Sequence, residues 1–302
     1  MNSIENAALK LIEEYKKRLI EKSVNVSELE KKKYSYEANI YKGKEKLILL
    51  VYFGKSGVKT VLQGNKETVL YREINDFLFG EKLFEFREEF TEPKSYIGTD
   101  ESGKGDYFGP LVIAGVFADE KNIKLLKAKG VKDSKELSDR SIKLIAEEIK
   151  KIVQDNFEII LITPKKYNEL HSKVKNVNKI LGWGHAKVLE NLLLRSEAKE
   201  AISDKFGDES LIRNSLQEKG RSIILHQFTK AEKFTAVAAA SILAREKMVE
   251  WFDIHNKMLK IELPKGASNA VNEAAKQIIK IYGTSKLGEI AKLHFRTTAK
   301  LM

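Results

Sequence analysis

The stretch GTDESGKGDYFGPLVIAGV, residues 98–116, joins an apolar strand to a second one through an acidic, glycine-rich loop. It contains most of a phosphate-binding loop, G-x-x-x-x-G-K, but the Ser or Thr that should follow is replaced by Gly105. That hydroxyl holds magnesium in nucleoside triphosphatases. Asp100 and Glu101 also lie where such a loop would surround phosphates, and carboxylates repel phosphates unless cations intervene. The triphosphatase interpretation is therefore rejected.

The two acids have counterparts elsewhere in the chain. Asp204 ends a predicted strand, and Glu232 lies in a short link between a strand and an alanine-rich helix. Catalytic groups are frequent at such strand ends, although an isolated Asp-Glu pair is more often solvated surface. Because no histidine or cysteine accompanies these acids, an all-oxygen site would suit Mg²⁺ or Mn²⁺ and not zinc. Two such ions would nearly offset four carboxylates and a phosphodiester, which favours a two-metal site.

The turn Gly103-Lys104-Gly105 follows the acids directly. Glycines let a backbone approach a ligand closely, and Lys104 can meet a phosphate. The alternative is a flexible turn with a surface lysine. Beside the acidic pair we favour the functional interpretation.

The composition points to a polyanionic partner. The 302 residues include 54 Lys and Arg against 43 Asp and Glu, a net charge of +11. Such an excess is typical of nucleic-acid-binding proteins, although a lysine-rich protein without such a partner has the same balance. The absence of cysteine excludes disulfides and thiolate metal sites. With neither a signal peptide nor a long apolar run in the sequence, we expect a cytoplasmic protein without membrane segments.

A change of composition indicates two domains. Residues 1–66 are basic, whereas residues 67–92 are acidic and precede Pro93. We therefore predict domains at 1–90 and 95–302, joined by a linker at 91–94.

The first domain is predicted to be α+β, with an amphipathic helix over residues 4–22 followed by strands. Lysines and tyrosines alternate along this part and could hold a nucleic-acid backbone on one side of a sheet, or form an ordinary solvated face. They are Lys31, Lys32, Lys33, Lys42, Lys44, Lys46, Tyr34, Tyr36 and Tyr41.

The second domain alternates strands and helices, which predicts an α/β fold with a mixed sheet and flanking helices. SYIGTD and LVIAGVFA are expected to be neighbouring strands, and Ser138 is expected to cap a helix. The small residues from Ala236 to Ala240 suit a helix that packs closely on the sheet.

Five blocks of sequence carry a resemblance to a known family. The chain from about residue 95 onward resembles type 2 ribonuclease H, and more narrowly its ribonuclease HIII subgroup. The blocks, in family order, are GTDESGKGDYFGPLVIAGV (98–116), GVKDSKELSD (130–139), LGWGHAKVLENLL (181–193), ISDKF (202–206) and TKAEKFTAVAAASILAR (229–245). The resemblance implies a ribonuclease H-like fold and, over about residues 1–90, a TATA-binding-protein-like domain.

The resemblance also implies roles for individual residues. The metal-binding acids would be Asp100, Glu101, Asp204 and Glu232, with Asp100 bridging two ions. At the last position the sister HII subgroup usually has aspartate, and glutamate is what the HIII subgroup is expected to show. The substrate contacts would be Gly103, Lys104 and Gly105, which meet ribose 2′-hydroxyls, and Ser134 and Lys135 of a Lys-Asp-Ser-Lys loop.

The implied activity is hydrolysis of the RNA strand of an RNA/DNA hybrid, leaving 3′-hydroxyl and 5′-phosphate ends. Nothing in the sequence requires more than a monomer, which is the state we expect. One alternative is an HII-type enzyme that cuts at single ribonucleotides and uses a tyrosine there, for which Tyr282 is the candidate by position. Another is a hybrid-binding protein without activity, which would gain nothing from clustered acids. His185 is expected to be a buried, hydrogen-bonded helix residue without a role in the chemistry.

Overall fold

The computed structural model describes residues 3–43, 45–54, 57–80, 91–131 and 137–301. The chain divides into two compact units, Met1–Thr91 and Glu92–Met302. Over the described residues, every helix is too short or too polar to cross a membrane.

The first unit is an antiparallel sheet with a helix on one face. Helix α1 spans Ser3–Glu21. The strands are β1 (Asn25–Val26), β2 (Glu30–Lys31), β3 (Ser35–Lys42), β4 (Glu45–Gly54) and β5 (Gly57–Gln63). They pair in the order β1-β3-β4-β5, with β2 also against β3. Helix α2 (Val69–Asn75) and a π-helical turn (Asp76–Gly80) follow.

Alternation along the strands decides which side chains face α1. Ile12 and Leu19 of the helix are buried against one face of the sheet, as an amphipathic helix requires. Tyr36 also belongs to this core, and its hydroxyl donates to Glu5 Oε1 at 3.3 Å. The prediction that Tyr36 could contact nucleic acid together with Tyr34 and Tyr41 was therefore wrong. Side chains alternate along a strand with a period of two, which places Tyr36 with Ala38 on the side that faces the helix. Lys44 lies outside the described residues.

The second unit contains a mixed five-stranded sheet. Its strands are β6 (Tyr96–Ser102), β7 (Leu111–Ala118), β8 (Phe157–Ile162), β9 (Glu200–Asp204) and β10 (Ile224–Phe228). The order is β10-β9-β6-β7-β8. The pairs β6–β7 and β7–β8 are antiparallel, and β6–β9 and β9–β10 are parallel. This confirms the predicted α/β class with a mixed sheet.

Helices cover both faces of this sheet. The helices of this unit are α3 (Glu120–Ala128), α4 (Asp139–Val153), α5 (Pro164–Val174), α6 (Val177–Leu193), α7 (Ser210–Arg213), α8 (Thr235–Leu259), α9 (Asn269–Tyr282), α10 (Thr284–Ile290) and α11 (Arg296–Leu301), of which α6 and α8 pack on the sheet directly. Short 3₁₀ turns occur at Gly220–Ser222 and Ala231–Lys233. As predicted, Ser138 caps α4 by accepting from the N–H of Ser141.

Helices α8 and α6 lie on opposite faces of strand β6. A Cβ on Gly98 would come within 2.2 Å of the backbone nitrogen of Val237, so the alanine-rich start of α8 lies directly against the strand. The next residue, Thr99, faces the other way and meets α6. Since successive strand residues alternate in direction, Asp100 points to the α8 side and Glu101 to the α6 side. The end of β6 thus directs one acid towards α8 and the other towards α6.

Candidate active site

Strand β6 positions the first two acids at its C-terminal end. Asp100 Oδ1 accepts from the backbone N–H of Glu101 at 2.8 Å, which fixes the Asp100 carboxylate beside the chain. Ser241 of α8 also hydrogen-bonds Asp100. On the opposite side, Glu101 Oε2 lies 3.2 Å from Nε2 of His185 in α6. Each acid is therefore held by the helix that covers its own face of the sheet.

The parallel pairing of β6 and β9 brings the third acid to the same edge. Thr99 pairs with Ser203, so Asp204 and Asp100 leave neighbouring strands at the same level. Asp204 Oδ1 accepts from the backbone N–H of Ala231 at 3.0 Å. The fourth acid, Glu232, follows Ala231 in the 3₁₀ turn. The hydrogen bond therefore connects the third acid to the backbone that carries the fourth.

A cavity of about 390 Å³ opens where these elements meet. It is lined by all four predicted acids, by Ser102 and the glycine-rich turn that follows it, and by three residues from other parts of the chain. Among the described residues, no three histidine, aspartate or glutamate side chains form a ready-made coordination group. The carboxylates thus surround a common space without closing on it. The lining residues are Asp100, Glu101, Ser102, Gly103, Lys104, Gly105, Asp204, Glu232, Ser241, Arg245 and Lys265.

The electrostatics of Asp100 show an excess of negative charge in this space. Burial raises the pKa of Asp100 well above its ordinary value, and the nearby Glu101 and Asp204 carboxylates raise it further. The hydrogen bonds from Ser241 and from the Glu101 N–H act in the opposite direction. Divalent cations would offset this charge, and the carboxylate oxygens are the ligands that Mg²⁺ and Mn²⁺ prefer. The side chains that line the cavity therefore fit a divalent metal ion.

The two glycines of the glycine-rich turn differ. The backbone requires a glycine at position 103, whereas position 105 has room for a side chain. Gly103 has φ +91°, and a Cβ there would lie 2.1 Å from the carbonyl oxygen of Pro110. Around Gly105, a Cβ would meet no heavy atom within 4 Å. Between them, Lys104 Nζ donates to the Phe206 carbonyl at 3.2 Å and lies 3.9 Å from Glu101 Oε1. The turn therefore presents a lysine and an uncovered backbone to the cavity.

Two cations of the cavity were missed by the sequence reasoning. Arg245 Nη2 donates to Asp139 Oδ1 at 3.1 Å, and Lys265 Nζ donates to Asp139 Oδ2 at 2.7 Å. Although burial opposes it, these two partners hold the pKa of Asp139 below its ordinary value. Arg245 ends one of the blocks that carry the family resemblance, whereas nothing in the local sequence distinguishes Lys265. The cavity thus has cations at its wall as well as acids.

The remaining predicted site residues are placed as follows. Ser134 and Lys135 lie outside the described residues. Tyr282 does not line the cavity, and its hydroxyl donates to the carbonyl of Leu259 at 2.8 Å. His185 is fully buried and hydrogen-bonded as expected, but one of its partners is Glu101.

Comparisons with known proteins agree with this architecture. The family described as Ribonuclease HII matches residues 97–298. Ribonuclease HIII of Protochlamydia amoebophila (strain UWE25) is 44% identical over 202 residues, which are 67% of this chain and 66% of that protein. Ribonuclease HIII of Chlamydia felis (strain Fe/C-56) is 39% identical over 249 residues, or 80% of this chain and 81% of that one.

Solved structures give the same result. Bst-RNase HIII in complex with Mn²⁺ superposes with a TM-score of 0.66 at 29% identity, covering 95% of this chain and 94% of that chain. Aquifex aeolicus RNase H3 gives a TM-score of 0.56 at 26% identity, with coverages of 94% and 96%. The chain therefore belongs to the ribonuclease HII family of type 2 ribonucleases H. Within that family it is a ribonuclease H of the HIII subgroup.

Proposed function

We propose that this chain hydrolyses the RNA strand of an RNA/DNA hybrid and leaves 3′-hydroxyl and 5′-phosphate ends. The observation that carries the proposal is the convergence of four acids from three segments on one cavity beside the turn Gly103-Lys104-Gly105. Family membership supports it, and the Mn²⁺ complex of Bst-RNase HIII supports divalent-metal use by a protein of the same architecture.

The acids would hold two Mg²⁺ or Mn²⁺ ions. Asp100, Glu101, Asp204 and Glu232 are the proposed ligands, because they supply the carboxylates that face the cavity. When bound, the ions would make a water nucleophilic and stabilise the charge on the leaving oxygen. The protein contributes the fixed positions of the carboxylates: Ser241 and the Glu101 N–H restrain Asp100, and the Ala231 N–H restrains Asp204.

Selection of RNA is assigned to the glycine-rich turn. The open space at Gly105 lets a ribose approach the backbone, where a 2′-hydroxyl can exchange hydrogen bonds. Lys104, whose side chain is 36% exposed, would meet a phosphate of the same strand. Arg245 and Lys265 line the cavity beside this turn, and a substrate phosphate would share them with Asp139. We assign Ser134 and Lys135 to the substrate on the family resemblance alone.

The N-terminal unit is proposed to add affinity for the hybrid. The register pairs Tyr41 with Lys46 and Tyr52 with Lys59 across neighbouring strands, on the face of the sheet opposite α1. The Lys46 ammonium lies 5.7 Å from the centre of the Tyr41 ring. Exposed cations next to aromatic rings suit contact with a phosphate backbone and its sugars. We retain the proposed organisation of a TATA-binding-protein-like domain at 1–90, a linker at 91–94 and a catalytic domain at 95–302.

A cleavage assay with strand-labelled substrates tests the proposal. Four substrates are compared in Mg²⁺ and in Mn²⁺: an RNA/DNA hybrid, duplex RNA, duplex DNA, and duplex DNA with one ribonucleotide. We expect cleavage of the RNA strand of the hybrid, with 3′-hydroxyl ends that a polymerase can extend. Efficient cutting at the single ribonucleotide would instead indicate the HII-type activity. Hybrid binding without cleavage in either metal would indicate a binding protein.

A further inference from the structure

His185 contacts the walls of the candidate active site from inside the protein. It lies on α6 and is fully buried. Its Nδ1 is 2.9 Å from the hydroxyl of Thr99, and its Nε2 is 3.2 Å from Glu101 Oε2. The ring also stacks on Phe206, with centroids 4.9 Å apart and planes at 22°. One imidazole therefore meets a strand, an acid and an aromatic ring at the same edge of the sheet.

The residues around this imidazole directly precede the acids. Thr99 lies before Asp100, and Ser203 lies before Asp204 on the neighbouring parallel strand. The hydroxyl of Ser203 is 3.5 Å from Nδ1 but is directed to the carbonyl of Asp204, at 3.1 Å. His185 thus lies between the two strands where they deliver their carboxylates.

The hydrogen-bond chemistry fixes the orientation of the ring. An ionised carboxylate only accepts, so Nε2 must carry the proton that is donated to Glu101. In the neutral imidazole Nδ1 is then the acceptor, and the Thr99 hydroxyl is its donor. Thr99 and the Phe206 ring leave the imidazole little freedom to turn. The Nε2–H therefore points at one carboxylate oxygen of Glu101.

We propose that His185 is a positioning residue that holds Glu101 in the rotamer needed for metal binding. This inference rests on the proposed function, because it takes Glu101 as a metal ligand. The other carboxylate oxygen of Glu101, Oε1, lies 3.9 Å from the partly exposed ammonium of Lys104, which attracts the carboxylate towards the glycine-rich turn and away from α6. A hydrogen bond from a buried and fixed donor opposes that movement. Outer partners that orient a ligating carboxylate typically contribute 10- to 100-fold in metal affinity or activity.

The chain allows a sharp test, because the two ring nitrogens can be replaced separately. In His185→Gln the amide nitrogen extends to the region of Nε2 and can still donate to Glu101. In His185→Asn the shorter amide reaches the Thr99 side alone. We expect His185→Asn to weaken Mn²⁺ binding about 10- to 100-fold by isothermal titration calorimetry. We expect it to lower kcat with little change in KM for the hybrid, and His185→Gln to recover most of both losses.

Two further variants make the outcomes distinguishable. Glu101→Gln tests the ligand itself, and unchanged Mn²⁺ affinity in that variant would contradict both the ligand set and this inference. A different outcome is that Glu101→Gln weakens Mn²⁺ binding while the two His185 variants bind Mn²⁺ as well as the wild type, or equally well as each other. In that case Glu101 is a ligand, and only the positioning role of His185 is wrong. His226 is the matched control, since its Nε2 also contacts a glutamate, Glu200, at 3.1 Å but at the other end of β9. His226→Asn should leave Mn²⁺ affinity unchanged.

A milder substitution covers the case in which His185→Asn does not fold. Thr99→Val keeps the shape of the side chain but removes the hydroxyl that donates to Nδ1. The ring is then free to rotate or to move its proton, so Mn²⁺ affinity should fall in the same direction by a smaller factor. Full Mn²⁺ affinity in a folded Thr99→Val protein, checked by circular dichroism, would overturn the orientation argument.

Discussion

The carboxylate of Asp204 accepts a hydrogen bond from the backbone N–H of Ala231 at 3.0 Å. This contact joins the end of strand β9 to the 3₁₀ turn that presents Glu232. The turn is entered through Lys230, which has φ 58° and ψ 44°, a left-handed conformation that few residues with a Cβ adopt. The fourth acid is therefore placed by a backbone contact to the third, although 28 residues separate them in the sequence.

The first prediction concerns Asp100→Asn. Because the neutral amide offers a single, weaker oxygen ligand in place of a charged carboxylate, we expect cleavage of a labelled hybrid to fall to background in Mg²⁺ and Mn²⁺. The same change removes a negative charge that Glu101 and Asp204 oppose. In EDTA the free energy of unfolding should therefore rise by about 0.5–2 kcal/mol. The exposed Asp155→Asn is the control and should alter neither quantity. Retained turnover, or a clear loss of stability in EDTA, would contradict this interpretation.

The second prediction separates the two glycines of the turn. Gly105→Ala meets open space, so we expect unchanged stability or a gain of about 0.4–1 kcal/mol, from the stiffer unfolded chain. Its kcat/KM for the hybrid should nevertheless fall, because the new methyl occupies the path of the ribose. Gly103→Ala should destabilise the fold, since φ is +91° and the methyl would clash with the Pro110 carbonyl. Full activity in Gly105→Ala would exclude a close approach of substrate at this position.

The sequence predicted the strands and helices of the second unit well because their patterns are long and are ended by recognisable residues, such as Ser138 before α4. The sequence did not predict side-chain contacts between segments that are far apart in the chain. Asp139 meets Arg245 and Lys265 across 106 and 126 residues, and no local pattern encodes such a meeting. Tyr36 was misplaced for a different reason. It was grouped by closeness in the sequence, whereas strand alternation decides the face.

The third prediction concerns Lys265, one of the two cavity cations that the sequence did not predict. If a substrate phosphate meets Lys265, then Lys265→Ala should raise Kd for the hybrid uniformly across sequences. The slope of log Kd against log salt should become shallower by about 1. Lys143→Ala is a matched control, because Lys143 also pairs with an aspartate, Asp253, but does not line the cavity. Equal effects of the two substitutions would show that Lys265 has no specific phosphate contact.

The fourth prediction tests the face of the N-terminal unit. The double substitution Lys46→Ala and Lys59→Ala removes two exposed cations from the side opposite α1. Because each phosphate contact contributes about 1 to the salt slope, the slope should become shallower by about 2. Turnover at saturating hybrid should be unchanged. Lys31 belongs to the same predicted set but pairs with Tyr36 on the α1 side of the sheet and forms an ion pair with Glu5, so Lys31→Ala is the control and should leave the salt slope unchanged. An unchanged salt slope in the double variant would remove this face from the substrate path.

The fifth prediction concerns the buried Lys292, whose side-chain nitrogen donates to the carbonyls of Phe108, Gly109 and Pro110. Burial lowers the pKa of Lys292 to about 7, and Asp106 acts in the opposite direction. Between pH 7 and about 10.4, the ordinary lysine value, the unfolded chain therefore binds a proton that the folded chain does not. The free energy of unfolding should therefore rise with pH across this window. Below pH 7 the protonated Lys292 is buried with its charge, and it should destabilise the folded protein.

Lys292→Met removes this titration, so the rise in the free energy of unfolding with pH should be lost. Urea unfolding at a series of pH values measures it, with fluorescence from Trp183 and Trp251, both of which belong to the second unit. The exposed Lys187→Met is the control and should keep the wild-type pH dependence. An equal rise in Lys292→Met and the wild type would mean that Lys292 stays charged in the fold, held by the three carbonyls that surround it.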